Sequence, residues 1–285
     1  MKIIGESSST RTEWAIVEGA NIIEHAFTEG INPYFQSRRE ISHSIRLELP
    51  DAFFKQRFEH IHFYCAGCGN EEKKKIVEAS LVAQFKTRAT VESDLLGAAR
   101  GLLINDTGIA CILGTGSNSC LYDNGEIVQN VRSLGFILGD EGSGSYIGRH
   151  FVSDCLKGLA PKYLTEKFFE ESHITADEIM DSVYSNALPS RTLSTFSFFL
   201  SEHIDDEYVY KLLYRDIMQF FVRNLSQYDY KKYPVLFVGS IANVYSDVLL
   251  KVAEDFGAKV AKISRNSMPG LIKFHTQESL KSEKV

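Results

Sequence analysis

One order of elements occurs twice in this chain, about a hundred residues apart, and it limits the fold more than any single motif does. Residues 2–5 read as an apolar strand, Glu6-Ser7-Ser8-Ser9-Thr10-Arg11-Thr12 as a hydroxyl-rich turn, and 14–17 as a second strand. Gly19-Ala20-Asn21 then makes a tight turn before a third strand at 22–27. The same series returns as strand 109–113, turn 114–118, strand 119–122, the Asp123-Asn124-Gly125 turn and strand 127–131. Asn-Gly between strands is a strong hairpin signal. A repeated supersecondary unit implies two related lobes with a polar turn at the same topological place in each. Two such turns facing across a cleft could hold one phosphorylated ligand from both sides.

The second turn ends the apolar stretch Cys111-Ile112-Leu113 with Gly114-Thr115-Gly116-Ser117-Asn118. Alternating glycine and hydroxyl residues can aim several backbone N–H groups outward together, a geometry that takes phosphate oxygens. Ordinary hairpins use the same residue types, so the stretch alone leaves both readings open.

Between and after the repeats, strands alternate with helices. The pattern predicts helices over 41–49 and 71–85 and one starting across 94–100, with strands at 61–64 and 89–91. Further helices are expected over 146–159, 176–187, 193–203 and 208–225. In the last of these Val209, Leu212, Leu213, Ile217, Phe220 and Phe221 fall on one stripe and read as core. Strand 235–238, helix 243–256, strand 260–263 and a final helix from Pro269 to Thr276 complete an α/β order with crossover connections. With no low-complexity linker, the crossings between lobes are expected near Asp106 and Asn266.

Composition narrows the partners. A net charge of −6 and no basic cluster beyond Lys73-Lys74-Lys75 argue against nucleic acid or an anionic membrane surface. Nothing approaches the roughly 18 continuous apolar residues of a membrane span, and the first residues lack the apolar core of a signal peptide. Five cysteines fit reduced thiols, so a cytoplasmic location is expected.

Several residues offer chemistry. Asp94 follows a strand and starts a helix, where it could cap the helix or accept a proton from a hydroxyl that attacks a phosphoryl group. Asp140 and Glu141 lie between Gly139 and Gly142 at what reads as a strand-to-helix junction, where two acids could cap the helix and complement its dipole or, with glycines on both sides allowing close approach, Asp140 could contact a sugar hydroxyl. Glu6 is the acid of the first turn and could hold magnesium through water. Asn32 either starts a turn or offers an amide to a polar ligand. Cys65-Ala66-Gly67-Cys68 is formally C-x-x-C but has no second pair, and His60-Ile61-His62 puts two rings on one strand face; both read as structural. Gly142-x-Gly144-x-x-x-Gly148 misses the dinucleotide spacing by one residue.

Taken together, these stretches resemble the sugar kinase, Hsp70 and actin superfamily, and within it the N-acetylglucosamine kinase and BadF/BadG-type ATPase group. Gly5-Glu6-Ser7-Ser8-Ser9-Thr10-Arg11-Thr12 is similar to its first phosphate loop and Leu113-Gly114-Thr115-Gly116-Ser117-Asn118 to the second. Leu138-Gly139-Asp140-Glu141-Gly142-Ser143-Gly144 resembles the sugar-pocket segment, and Val238-Gly239-Ser240-Ile241-Ala242 the adenosine loop. The resemblance implies a two-lobed actin-like ATPase fold built from duplicated ribonuclease H-like domains around a central cleft. Residues 1–106 with 268–285 would form one lobe and 107–267 the other, the final helix returning to the first lobe.

The implied activity is ATP-dependent phosphorylation of the C6 hydroxyl of N-acetylglucosamine or a related amino sugar. Carried over by position, Asp94 would be the base, and Asn32, Ser117, Asn118 and Asp140 would contact the sugar. Thr10, Arg11, Thr12, Gly114, Thr115, Gly116, Gly239 and Ser240 would bind the nucleotide, with magnesium at Glu6 through water. A homodimer is implied from the family alone. In one respect the chain departs from the family, whose first loop begins Asp-Gly-Gly-Gly-Thr where this one has Glu6-Ser7-Ser8-Ser9-Thr10. Glutamate is a methylene longer, and serine resists the positive φ angles that glycine allows. Two alternatives follow: a sensor of the same fold that binds without turnover, and a BadF/BadG-type ATPase with a cluster shared between subunits, for which Cys120 and Cys155 are the candidate ligands.

Overall fold

In a computed structural model, residues 1–185 and 188–282 are described; Ala187, the expected end of one helix, and residues 283–285 of the expected first lobe lie outside them. In chain order the elements are β1 (Lys2–Ser7), β2 (Arg11–Glu18), β3 (Asn21–Glu29), α1 (Arg38–Glu48), β4 (Ile61–Cys65), α2 (Glu71–Phe85), β5 (Ala89–Ser93) and α3 (Asp94–Leu103). There follow β6 (Gly108–Leu113), β7 (Ser117–Asp123), β8 (Glu126–Val131), α4 (Gly135–Leu138), α5 (Gly144–Leu156), α6 (Lys162–Ser172), α7 (Ala176–Tyr184), α8 (Pro189–Phe199) and α9 (Glu207–Arg223). The chain closes with β9 (Val235–Val238), α10 (Ser240–Val244), α11 (Ser246–Phe256), β10 (Val260–Ser264) and α12 (Met268–Ser282). Two compact units result: Met1–Thr107, Tyr122–Val128 and Asn266–Val285 form one, Gly108–Leu121 and Gln129–Arg265 the other.

The two five-stranded sheets have one topology. The first runs β3-β2-β1-β4-β5 and the second, read from its other edge, β8-β7-β6-β9-β10, so each is third, second, first, fourth, fifth in its own numbering. In the first, β1 is antiparallel to β2 and parallel to β4. Alternation along β1 sends Ile3 to one face and Ile4 to the other. Ile3 joins Trp14, Ile41 and Ile45 of α1 and Val77 and Leu81 of α2. Ile4 joins Ala15, Val17, Tyr64 and the α12 residues Met268, Leu271 and Ile272. Helices α3 and α12 meet backbone to backbone: a Cβ on Gly270 would lie 1.7 Å from the Gly101 carbonyl oxygen.

Local sequence explains most boundaries. Helix α1 begins three residues before the expected start because Ser37 and Glu40 form a capping box, worth about 1 kcal/mol. The α9 stripe is buried as expected and packs on Phe237 of β9. Helix α6 was not anticipated, since only Leu164 and Phe168 are buried along it and the apolar stripe is thin. The expected helix over 243–256 is two, α10 and α11, which break at Tyr245.

Candidate functional site

In the first unit the site is built at the ends of β1, β4 and β5. Glu6 of β1 stands directly opposite Glu13 of β2, an arrangement of like charges that is unfavourable unless each carboxylate is held. The Ser267 hydroxyl donates to the Glu6 carboxylate. Glu13 accepts from Asn266 Nδ2 at 3.3 Å and pairs with His25 Nε2 at 2.9 Å. Burial pushes the Glu6 carboxyl up to about 7, and the nearby Glu13 and Asp94 charges add to this, against the Ser267 hydrogen bonds that pull it down.

The serines of the first loop carry no backbone strain: no residue from Ser7 to Thr12 has a positive φ. Glycine is therefore not required there. Ser8 Oγ instead accepts from the amides of Thr10 and Arg11, both at 3.3 Å, and closes the turn on itself. Thr12, an expected phosphate ligand, braces the loop in this structure. It is fully buried, donates to Glu29 O at 2.8 Å and bonds Ser7 Oγ at 2.8 Å. Thr10 is exposed, and the exposed Arg11 guanidinium lies 4.2 Å from the Phe27 ring centre.

Asp94 is the first residue of α3 but not its cap. Ser93 caps the helix, its Oγ accepting from Leu96 N at 3.2 Å, and this releases Asp94 from that duty. Burial pushes the Asp94 carboxyl up to about 6, although the Leu95 amide at 2.9 Å opposes the shift. Asn32 does start a turn, with Oδ1 accepting from Tyr34 N at 3.0 Å. Among the described residues nothing takes its Nδ2 hydrogens. Gly67, at φ +79°, makes the room: a Cβ there would sit 2.4 Å from Asn32 Oδ1. That is the work of the C-x-x-C turn. Cys65 and Cys68 are buried beneath it, and burial, with the Cys68 contact, drives the Cys65 thiol well up. His62 stacks on His275 at 3.7 Å and is pushed down to about 2 by burial, the neutral state of a structural ring.

In the second unit the Gly114–Gly116 turn is held on three sides. The first amides of α5 serve it, Gly144 N donating to Gly114 O at 2.8 Å and Ser145 N to Thr115 O at 3.0 Å. Asp140 Oδ1 accepts from Ser117 N at 3.1 Å. On the third side a Cβ at Gly239, whose φ is +126°, would lie 2.3 Å from Leu113 O, so the expected adenosine loop lies against the expected phosphate turn. Among the described residues the amides of Thr115 and Gly116 and the Ser117 hydroxyl have no hydrogen-bond partner. Asn118 Oδ1 accepts from Ser119 N and Asn130 Nδ2, and Ser240 is exposed.

Asp140 and Glu141 do not lie at a strand-to-helix junction. Strand β8 ends at Val131, the single turn α4 follows, and an irregular stretch leads into α5. Asp140 takes φ +54° and packs against Gly116, where a Cβ would be 2.9 Å from Oδ2. Glu141 pairs with Arg223 at 2.7 Å and accepts from Asn224, anchoring the end of α9. Gly148 serves helix packing: its Cβ would fall 1.8 Å from Leu193 O of α8.

Sequence reasoning missed Glu13, Asn266 and Ser267. The one signal for Ser267 was a hydroxyl residue just before a helix with Pro269 near its start. Carboxylate oxygens are hard donors that suit magnesium, yet among the described residues no group of three or more His, Cys, Asp or Glu could hold an ion. The carboxylates present, Glu6 and its cross-strand partner Glu13, are donors of the hard oxygen type that magnesium takes.

No protein-family model matches the chain, and no curated protein sequence matches it. Among solved structures, a putative N-acetylglucosamine kinase from Porphyromonas gingivalis is 39% identical with a TM-score of 0.93, over 98% of this chain and 100% of that one. A second putative N-acetylglucosamine kinase, from Chromobacterium violaceum, is 16% identical with a TM-score of 0.76, over 96% and 98%. A ROK family glucokinase from Streptomyces griseus, in complex with glucose and AMPPNP, is 11% identical with a TM-score of 0.57, over 96% and 97%. The last two matches support the fold alone. Among the described residues no helix is long and apolar enough to cross a membrane. On the first match, and with the duplicated sheets already described, the chain belongs to the N-acetylglucosamine kinase group of the sugar kinase, Hsp70 and actin superfamily.

Proposed function

We propose that the protein is an ATP-dependent kinase that phosphorylates the C6 hydroxyl of N-acetylglucosamine or a related amino sugar, with its two units as lobes and a homodimer as its assembly. The observation that carries the reading is Asp94. It is a carboxyl at a helix start, relieved of capping by Ser93 and poised by burial near neutral pH. In the reaction the sugar oxygen forms a bond to the γ-phosphorus, the bond from that phosphorus to the β–γ bridging oxygen breaks, ADP leaves, and the hydroxyl proton passes to Asp94. The unpartnered Thr115 and Gly116 amides are suited to phosphate oxygens, and Gly239 and Ser240 to the adenosine side. Asn32 Nδ2, the Ser117 hydroxyl, Asn118 and Asp140 are assigned to the sugar. Bound magnesium, near Glu6 and through water, would neutralise phosphate charge.

Coupled ADP release with magnesium-ATP tests this, using N-acetylglucosamine, N-acetylmannosamine, glucosamine, glucose and no sugar, with wild type and Asp94→Asn. Stimulation by one sugar, lost in the variant by on the order of 100-fold or more, is the expected result. A sugar that binds by calorimetry without stimulating release would favour the sensor reading instead. That reading has one observation in its favour: Ser8 Oγ already occupies the Thr10 and Arg11 amides. The dehydratase-activating reading has none, because Cys120 and Cys155 are buried, their thiols pushed up by burial to about 12 and about 11.

A further inference from the structure

We propose that Ser267 and Asn266 are positioning residues that clamp the two facing carboxylates of the first-loop strands, so that the loop works with Glu6 at its head. The inference rests on the kinase reading and extends it to residues which that reading leaves without a role. Glu6 and Glu13 are direct cross-strand partners and repel each other. Both are held by consecutive residues at the start of α12: Ser267 donates to Glu6 through its hydroxyl, and Asn266 donates to Glu13.

Ser267 cannot drift. It is 1% exposed, its carbonyl accepts the first bond of α12 from Leu271 N at 3.0 Å, and a Cβ on Gly101 of α3 would lie 2.4 Å from its own Cβ. The same α3 begins with Asp94, so one rigid contact fixes the start of α12 against the helix that carries the proposed base. The positive end of a 15-residue helix also favours a carboxylate at this point. The extra methylene of glutamate therefore has a partner: it brings the carboxylate to Ser267. Aspartate at position 6 is shorter by that methylene and would lose the contact.

Three variants test the clamp: Ser267→Ala, Glu6→Asp and the double variant. The readouts are ADP affinity by calorimetry with and without magnesium, sugar KM and kcat, and thermal stability. Ser267→Ala should fold, cut the magnesium-dependent gain in ADP affinity about 10-fold, and lower kcat on a similar scale with sugar KM unchanged. Glu6→Asp should do the same, and the double variant should lose no more than either single one, because both remove one contact. Asn266→Ala, acting through Glu13, should move the same readouts in the same direction and serves if Ser267→Ala does not fold. A folded Ser267→Ala with wild-type magnesium dependence, or losses that add in the double variant, overturns the proposal. If the wild type shows no sugar-stimulated turnover, the kinase reading fails separately, and the ADP binding series alone decides on the clamp.

Discussion

Replacing Asp94 by asparagine separates a catalytic carboxyl from a capping one, because the two roles predict opposite signs for stability. Burial lifts the folded-state pKa from 3.8 to about 6. A folded pKa above the unfolded one means that the native state holds the proton more tightly. The stabilisation is then fully present below about pH 3.8 and is lost as pH rises through about 6. At about 1.4 kcal/mol per pKa unit, a shift of roughly two units amounts to about 3 kcal/mol. A carboxylate at a helix start gains about 0.3–1 kcal/mol from the dipole, so desolvation wins. Asparagine has the same shape, keeps an oxygen for the Leu95 amide and does not ionise. Asp94→Asn should therefore match wild type near pH 4 and exceed it by up to about 3 kcal/mol at pH 8, while sugar-dependent ADP release collapses. Urea denaturation of both proteins across that pH range reads the difference directly. A variant less stable than wild type at pH 8 would refute the reasoning, since Asp94 would then be stabilising its helix as an anion.

Two further outcomes follow from the same geometry. Wild-type kcat/KM for the sugar should rise with pH through about 6 and then level, because the ionised form of Asp94 takes the proton; a profile flat from pH 5 to 8 removes it as the base. Gly239→Ala places a methyl 2.3 Å from Leu113 O at a φ of +126°, and should cost about 2 kcal/mol or more and weaken ATP binding by calorimetry. A folded variant with unchanged ATP affinity would detach Gly239 from the nucleotide.

The duplicated fold was legible because it is written in local signals. Hairpin turns at Gly19 and at Asn124-Gly125 and the six-residue stripe of α9 each follow from a few neighbouring residues. Where the sequence misled, tertiary packing had taken over from periodicity. Helix α6 buries two residues per three turns and leaves too faint a pattern to read. The break between α10 and α11 falls at Tyr245, whose ring is fully buried, and no glycine or proline marks it.

The site was legible as residue types and not as atoms. Sequence placed Asp94 at a helix start, but only the structure assigns the cap to Ser93 next to it, and that one exchange turns an ambiguous carboxylate into a candidate base. The resemblance offers Thr12 as a ligand, and only the structure shows its hydrogen bond to Glu29, which spans 17 residues, beyond what the loop itself declares. The serine-rich loop raised an objection based on positive φ angles, and the backbone removes it by adopting none. What the loop required lay 261 residues away, in a serine that meets Glu6 from the start of the last helix. A substitution that looks costly in its own segment can thus be matched by a partner elsewhere in the chain, and the pair, not either residue, is the unit on which the proposed chemistry depends.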